Sequence, residues 1–322
     1  MRELYSLGGV PRSYAWGSTT AVQSMLGIEP DGLPIAELWF GAHPGAPSPV
    51  GGTTLDRLIE ADPVGLLGAD VIQRFGAQLP FLLKILAADK PLSIQVHPTR
   101  AQAGVGFARE DALGIAHDAP NRNYRDRNHK PELLCALTEF EALCGFRPEN
   151  EIRDLFALLE VPGFDETWER LVTAGTRSAF EALLEHPDPA RLVDAVVANA
   201  PRLRGKWFGA ARAIVLAAEH FPGDIGVVLT LFLNYVRLEP RQAIYLGAGN
   251  VHAYLRGVGI EVMASSDNVL RCGLTPKHVD VPELLKITDF SELADPRWPS
   301  YGGAFRVPVT DFQLAEIGRA HV

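Results

Sequence analysis

Apolar and polar positions change rhythm twice along the 322 residues, dividing the chain into three textures. From residue 1 to about 148, short apolar runs are broken by Gly and Pro, as in "GGVPRSYAWG" and "GAHPGAPSPVGG", which predicts a largely β segment with long connections. The sharpest alternation is "PLSIQVHP", residues 91–98. On an extended strand Ser93, Gln95 and His97 share one face while Ile94 and Val96 take the other. From 149 to 222 the apolar spacing becomes three and four, as at Ile152, Leu155, Phe156 and Leu159, which predicts helices. Glu149, Asn150 and Glu151 favour a helix start through capping and the helix dipole. Strands then return in "LNYVRLEP", "AIYLGAG" and "HAYLRGVGIEVMAS". With no internal repeat or low-complexity segment, the economical reading is a mainly β scaffold interrupted by a helical insert.

Composition sharpens this picture. The chain is 47% hydrophobic and 21% charged, enough to bury a substantial core in two or more domains. Its longest apolar stretch, "IGVVLTLFLNYV" at 225–236, carries Thr230 and Asn234 and falls short of the ~20 residues that span a bilayer. The opening "MRELYSLGGV" has no run resembling a signal peptide, so a cytoplasmic protein is expected. Cys135, Cys144 and Cys272 lack metal-knuckle spacing and read as packed thiols. A net charge of -9 offers no general attraction for nucleic acid or anionic membrane. An anionic substrate must therefore be held by a local group of Lys and Arg.

Solvent alone would explain the polar face of "SIQVHP", but other segments supply partners for it. His252 follows the turn "YLGAGN", which delivers the first side chains of the next strand, and Glu132 in "YRDRNHKPELLCAL" begins an apolar strand. An inward carboxylate at a strand start is costly unless paired or bound to a cation. Gln95, His97, Glu132 and His252 would give two imidazoles, a carboxylate and an amide oxygen, a set suited to a divalent cation such as zinc. His117, His186 and His220 read as surface residues, His43 as a loop residue and His129 as packing; Trp16 and Trp39 read as core or cleft-wall aromatics.

"YRDRNHKPE" at 124–132 resembles the Y-x-D-x-N-H-K-P-E signature of the type I mannose-6-phosphate isomerases. "HAYLRGVGIEVMASSDNVLRCGLTPK" at 252–277 is similar to the family's second signature, with Cys272 where the family usually has Ala. "AELWFGAHP", "SYAWG" and "PLSIQVHP" match the family's habits too. The resemblance implies a zinc-dependent isomerase of mannose 6-phosphate and fructose 6-phosphate with one zinc per chain, and a monomer is expected. It implies a cupin-like jelly-roll or β-barrel catalytic domain over 1–148 and 223–290, a helical domain over 149–222, and the start of a truncated second jelly roll over 291–322. The family's metal ligands fall on Gln95, His97, Glu132 and His252 and its essential arginine on Arg271; Glu37, Lys130, Tyr254, Glu261, Asp267 and Lys277 match polar positions of its cleft. The rival readings are another cupin metalloenzyme and a non-catalytic sugar-phosphate-binding protein.

Moving a proton between C1 and C2 through an enediolate calls for a cation and a fixed guanidinium, here Arg271, beside a base. Lys130, Glu261 and Asp267 are the candidates for that base. For the phosphate, Lys84, Ser93 and Lys277 are expected, with Arg271 as an alternative. The terminal "IGRAHV" matches the translation of a common sequencing-library adapter, and is expected to be non-native.

Overall fold

The structure, a computed structural model, describes residues 4–317. All of the adapter-like terminus except Ile317 lies outside the described residues. Two antiparallel sheets share one long strand, His252–Ala264. Residues 257–264 of that strand pair with Phe81–Ala88 on one side, and residues 259–263 pair with Glu132–Ala136 on the other. This sheet runs on through Glu37–Phe40 to Val10–Arg12 at one edge, and through Ala243–Leu246 to Arg297–Trp298 at the other. The first half of the shared strand pairs with Phe140–Phe146 and sets His252 opposite Gln95 of the Ile94–Val96 strand. Leu270–Gly273 and Leu233–Leu238 flank this second sheet. The scaffold is mainly β and cupin-like, with a helical region.

The shared strand changes sheets at a register shift between Tyr254 and Arg256, followed by Gly257 at φ 130. A Cβ at residue 257 would lie 2.7 Å from the Glu139 carbonyl, so the bend requires glycine. The bend has a functional consequence. Tyr254 and Glu261 are an odd number of residues apart and would face opposite ways on an unbroken strand; the shift brings both into one cleft.

The Glu149–Leu159 helix begins where its acidic first turn predicts, and Asp165–Leu184, Pro189–Asn199 and Phe208–His220 follow. Their apolar faces share one core with the second sheet: Ile152, Leu155, Phe180 and Ile214 join Ile94, Val96, Leu255 and Leu270. The helices therefore cover the apolar side of the opening alternation and leave its polar side free. The first 148 residues hold more helix than their texture predicts, over Leu55–Ala61, Pro63–Leu67, Ala69–Phe75 and Arg100–Ala112. The last starts at a Thr99–Gln102 capping box, a local signal that outweighs its weak apolar period. Toward the other end, Ala304–Phe305 pairs with Leu314–Ala315, and Phe305, Val307 and Phe312 pack against Leu133, Ala243 and Val262. The three cysteines are free, and no helix among the described residues is long and apolar enough to cross a membrane.

Candidate metal centre and catalytic cleft

A cleft of about 1020 Å³ opens where the two sheets diverge. Glu37, Lys84, Ser93, Gln95, Lys130, Glu132, Tyr254, Glu261, Asp267, Arg271 and Lys277, all expected from the sequence, line it. His97 and His252 lie fully buried, each within 4 Å of Glu132.

His97 Nε2 is 3.3 Å from Glu132 Oε1, and His252 Nε2 is 3.5 Å from Glu132 Oε2. Each imidazole places Nδ1 against a backbone carbonyl, of Asn268 at 2.8 Å for His97 and of Asn250 at 3.0 Å for His252. A carbonyl only accepts, so Nδ1 carries the proton and the Nε2 lone pairs point inward. Both Nε2 atoms and Glu132 Oε2 are buried with no hydrogen-bond partner among the described residues. Three facing acceptors, with donor atoms within 4.8 Å of one another, leave unmatched negative potential that a cation would satisfy. Burial, aided by the Lys130 ammonium, pushes His97 down to about 4. Burial opposes the charge on Glu132, but Lys130 at 3.1 Å and the two histidines hold its carboxyl well below the ordinary range. With His97 pushed down and Glu132 held low, the set presents the nitrogen and oxygen ligand atoms that zinc takes. Gln95 stands in register with both His252 and Arg271 on the same wall.

Beside this centre lies a second buried charged group. Glu37, Lys84 and Glu261 come from three adjacent strands and meet because Lys84 is in register with Glu261 on one side and Trp39 on the other. The Lys84 ammonium donates to Glu261 Oε2 at 2.8 Å and to Glu37 Oε1 at 3.3 Å. Tyr254 Oη donates to Glu261 Oε1 at 2.8 Å, and Trp39 Nε1 to Glu37 Oε2 at 2.8 Å. Burial disfavours the charge on Lys84, yet the two carboxylates raise its pKa. Burial raises that of Glu261, with Lys84 opposing.

The cation end of the cleft is different. Burial lowers the pKa of Arg271, and Arg125 beside it lowers it further; Lys277 is lowered by burial and then by Arg271 and Arg125. The charges that press on Arg271 and Lys277 are those of their cationic neighbours. Arg125, in the first signature, was not singled out from the sequence because its partners are 146 and more residues away.

His43, expected to be a simple loop residue, stands in the cleft wall edge-on to Trp39. Its Nδ1 accepts from the Gly45 N–H, so Nε2 carries the proton that faces Asp267 Oδ2 at 3.2 Å. That bond, against the opposing effect of burial, holds Asp267 below the usual carboxylate range. His129 lies on an irregular stretch, with Nε2 3.0 Å from Asp311.

The profile of the phosphomannose isomerase type I catalytic domain matches residues 4–149. The mannose-6-phosphate isomerase of Escherichia coli K12 is 41% identical over 332 residues, covering 94% of this chain and 81% of its own. The Schizosaccharomyces pombe mannose-6-phosphate isomerase is 38% identical, covering 88% and 72%. Among solved structures, a zinc-bound mannose 6-phosphate isomerase superposes with a TM-score of 0.87 at 39% identity, covering 96% of this chain and 82% of that one.

Proposed function

The chain belongs to the type I phosphomannose isomerases, a zinc-dependent family that interconverts mannose 6-phosphate and fructose 6-phosphate, and on that premise we propose how its own residues divide the work. His97, His252, Glu132 and Gln95 hold the zinc. The observation that carries this is the set of three buried acceptor atoms, His97 Nε2, His252 Nε2 and Glu132 Oε2, that no donor among the described residues satisfies. Bound zinc supplies Lewis-acid stabilisation of negative charge developing on the sugar oxygens.

The remaining steps belong to side chains. Arg271, charged at any working pH and set beside Gln95 in register, holds the enediolate oxygens or the adjoining phosphate. Of the three candidate bases, Glu261 has both oxygens engaged by Lys84 and Tyr254. Lys130 and Asp267 line the same cleft, each with a single side-chain partner among the described residues, Glu132 and His43 respectively, and the C1 to C2 proton is assigned to these two. Lys84 has its ammonium committed to two carboxylates, so its part is to hold Glu37 and Glu261 in place for the sugar hydroxyls. The phosphate is taken by the Arg125, Arg271 and Lys277 trio, with Ser93 on the neighbouring strand of the cleft.

A coupled assay of fructose 6-phosphate formation, with chelator and zinc add-back, tests this. Arg271→Ala should lower turnover by more than about 100-fold, the loss typical of a group stabilising developing charge, while zinc content stays at one per chain. Unchanged turnover would remove Arg271 from the chemistry, and no turnover in zinc-loaded, folded wild type would favour a binding protein.

A further inference from the structure

The phosphate trio is held by a turn that carries strain. Leu274, between Arg271 and Lys277, sits at φ 53, a left-handed conformation that is unfavourable for a bulky residue and persists only where the surroundings enforce it. The enforcing group is Asp224. Its Oδ1 accepts from the Leu274 N–H at 2.8 Å and from the Gly226 N–H at 2.7 Å, and its Oδ2 accepts from the Thr275 N–H at 3.0 Å. Both oxygens are used on backbone, so the carboxylate clamps the turn without pairing with Arg271 or Lys277. Gly226 and Gly273 let the two segments meet backbone to backbone: a Cβ on Gly226 would lie 2.4 Å from the Leu274 nitrogen. His220 and Phe221, on the same connection as Asp224, line the cleft wall next to the turn.

We infer that Asp224, outside both signature segments, is a positioning residue for phosphate recognition: it fixes the 273–276 turn and thereby places Lys277 against Arg271, which its own strand register with Gln95 holds. The inference rests on the phosphate placement proposed above. It separates two ends of one cleft, because the side-chain hydrogen bonds of Asp224 among the described residues go to the backbone of Gly226, Leu274 and Thr275 and not to His97, His252 or Glu132. A loosened turn weakens the grip on the phosphate and leaves the metal end intact.

The test is Asp224→Asn, nearly isosteric, in which an NH2 group would face an N–H of the turn; Asp224→Ala is the harsher companion. Four quantities are measured on the zinc-loaded chain: zinc content, kcat, KM for mannose 6-phosphate, and the inhibition constant of inorganic phosphate. For Asp224→Asn, KM and the phosphate inhibition constant should rise together by about 10-fold, with kcat within about threefold and zinc unchanged. A fall in kcat with both constants unmoved, or loss of zinc with phosphate inhibition unmoved, overturns the inference. Lys277→Met distinguishes the underlying reading. If Lys277→Met leaves phosphate inhibition unchanged, the phosphate placement itself is wrong; if it weakens inhibition and Asp224→Asn does not, only the role of Asp224 fails.

Discussion

Two buried charged groups lie side by side in this cleft and answer the cost of burial in opposite ways. In the Glu37, Lys84 and Glu261 group every carboxylate oxygen meets a donor, from Lys84, Tyr254 or Trp39. In the His97, Glu132 and His252 group Lys130 reaches only Glu132 Oε1, and both Nε2 atoms and Glu132 Oε2 are acceptors that meet no donor among the described residues. Burial alone therefore does not mark a metal centre. What marks it is buried acceptors whose partners have been withheld, while their outer atoms, His97 Nδ1 and His252 Nδ1, are anchored to carbonyls. The satisfied group is a rigid wall and the unsatisfied one a socket.

The largest expected break in this contrast is Glu132→Gln. It leaves shape nearly unchanged but removes the socket's charge, so zinc content should fall below one per chain and turnover by more than about 100-fold. Retention of both under metal analysis and the coupled assay would mean Glu132 is not a ligand. Lys84→Met attacks the other group. It leaves Glu37 and Glu261 buried without a counter-charge, and unfolding in denaturant should show a loss of about 3–5 kcal/mol, against a nearly neutral change if the wall is not built on that pair.

The smallest effect sharpens the socket in the zinc-free chain. His97 is pushed down to about 4 in the fold, from the usual value near 6.5. The folded state binds fewer protons than the unfolded one between those values. Its contribution is therefore intact above about 6.5 and lost as pH falls toward about 4, at up to roughly 1.4 kcal/mol per pH unit. Melting temperature against pH in chelator should fall through that window; a flat profile there would show that His97 is not buried as a neutral imidazole.

How much of this was legible in the sequence depended on how local the cause was. The Ser93, Gln95, His97 alternation, Glu132 at a strand start and the helix beginning at Glu149 are each decided within a few residues, and each sits in the structure where its neighbours place it. The clamp on Lys84 was not legible, because Glu37 and Glu261 are 47 and 177 residues from it and meet only through strand register. Lys84 consequently read as a phosphate ligand. The phase reversal at Gly257 that turns Glu261 toward Tyr254 is a bulge, and alternation read straight along the strand puts those side chains on opposite faces. His43 read as an ordinary loop residue because its partner, Asp267, lies in the second signature. Asp224 carries no motif at all, and its role exists only in the three backbone bonds that the folded turn provides.

Whether the unsatisfied group is the zinc socket is decided by X-ray absorption on the zinc-loaded chain, with metal content measured on the same sample. The expected result is one zinc per chain in an all nitrogen and oxygen shell with the signature of two imidazoles. Sulfur in the shell, a single imidazole, or zinc well below one per chain in folded protein would contradict it.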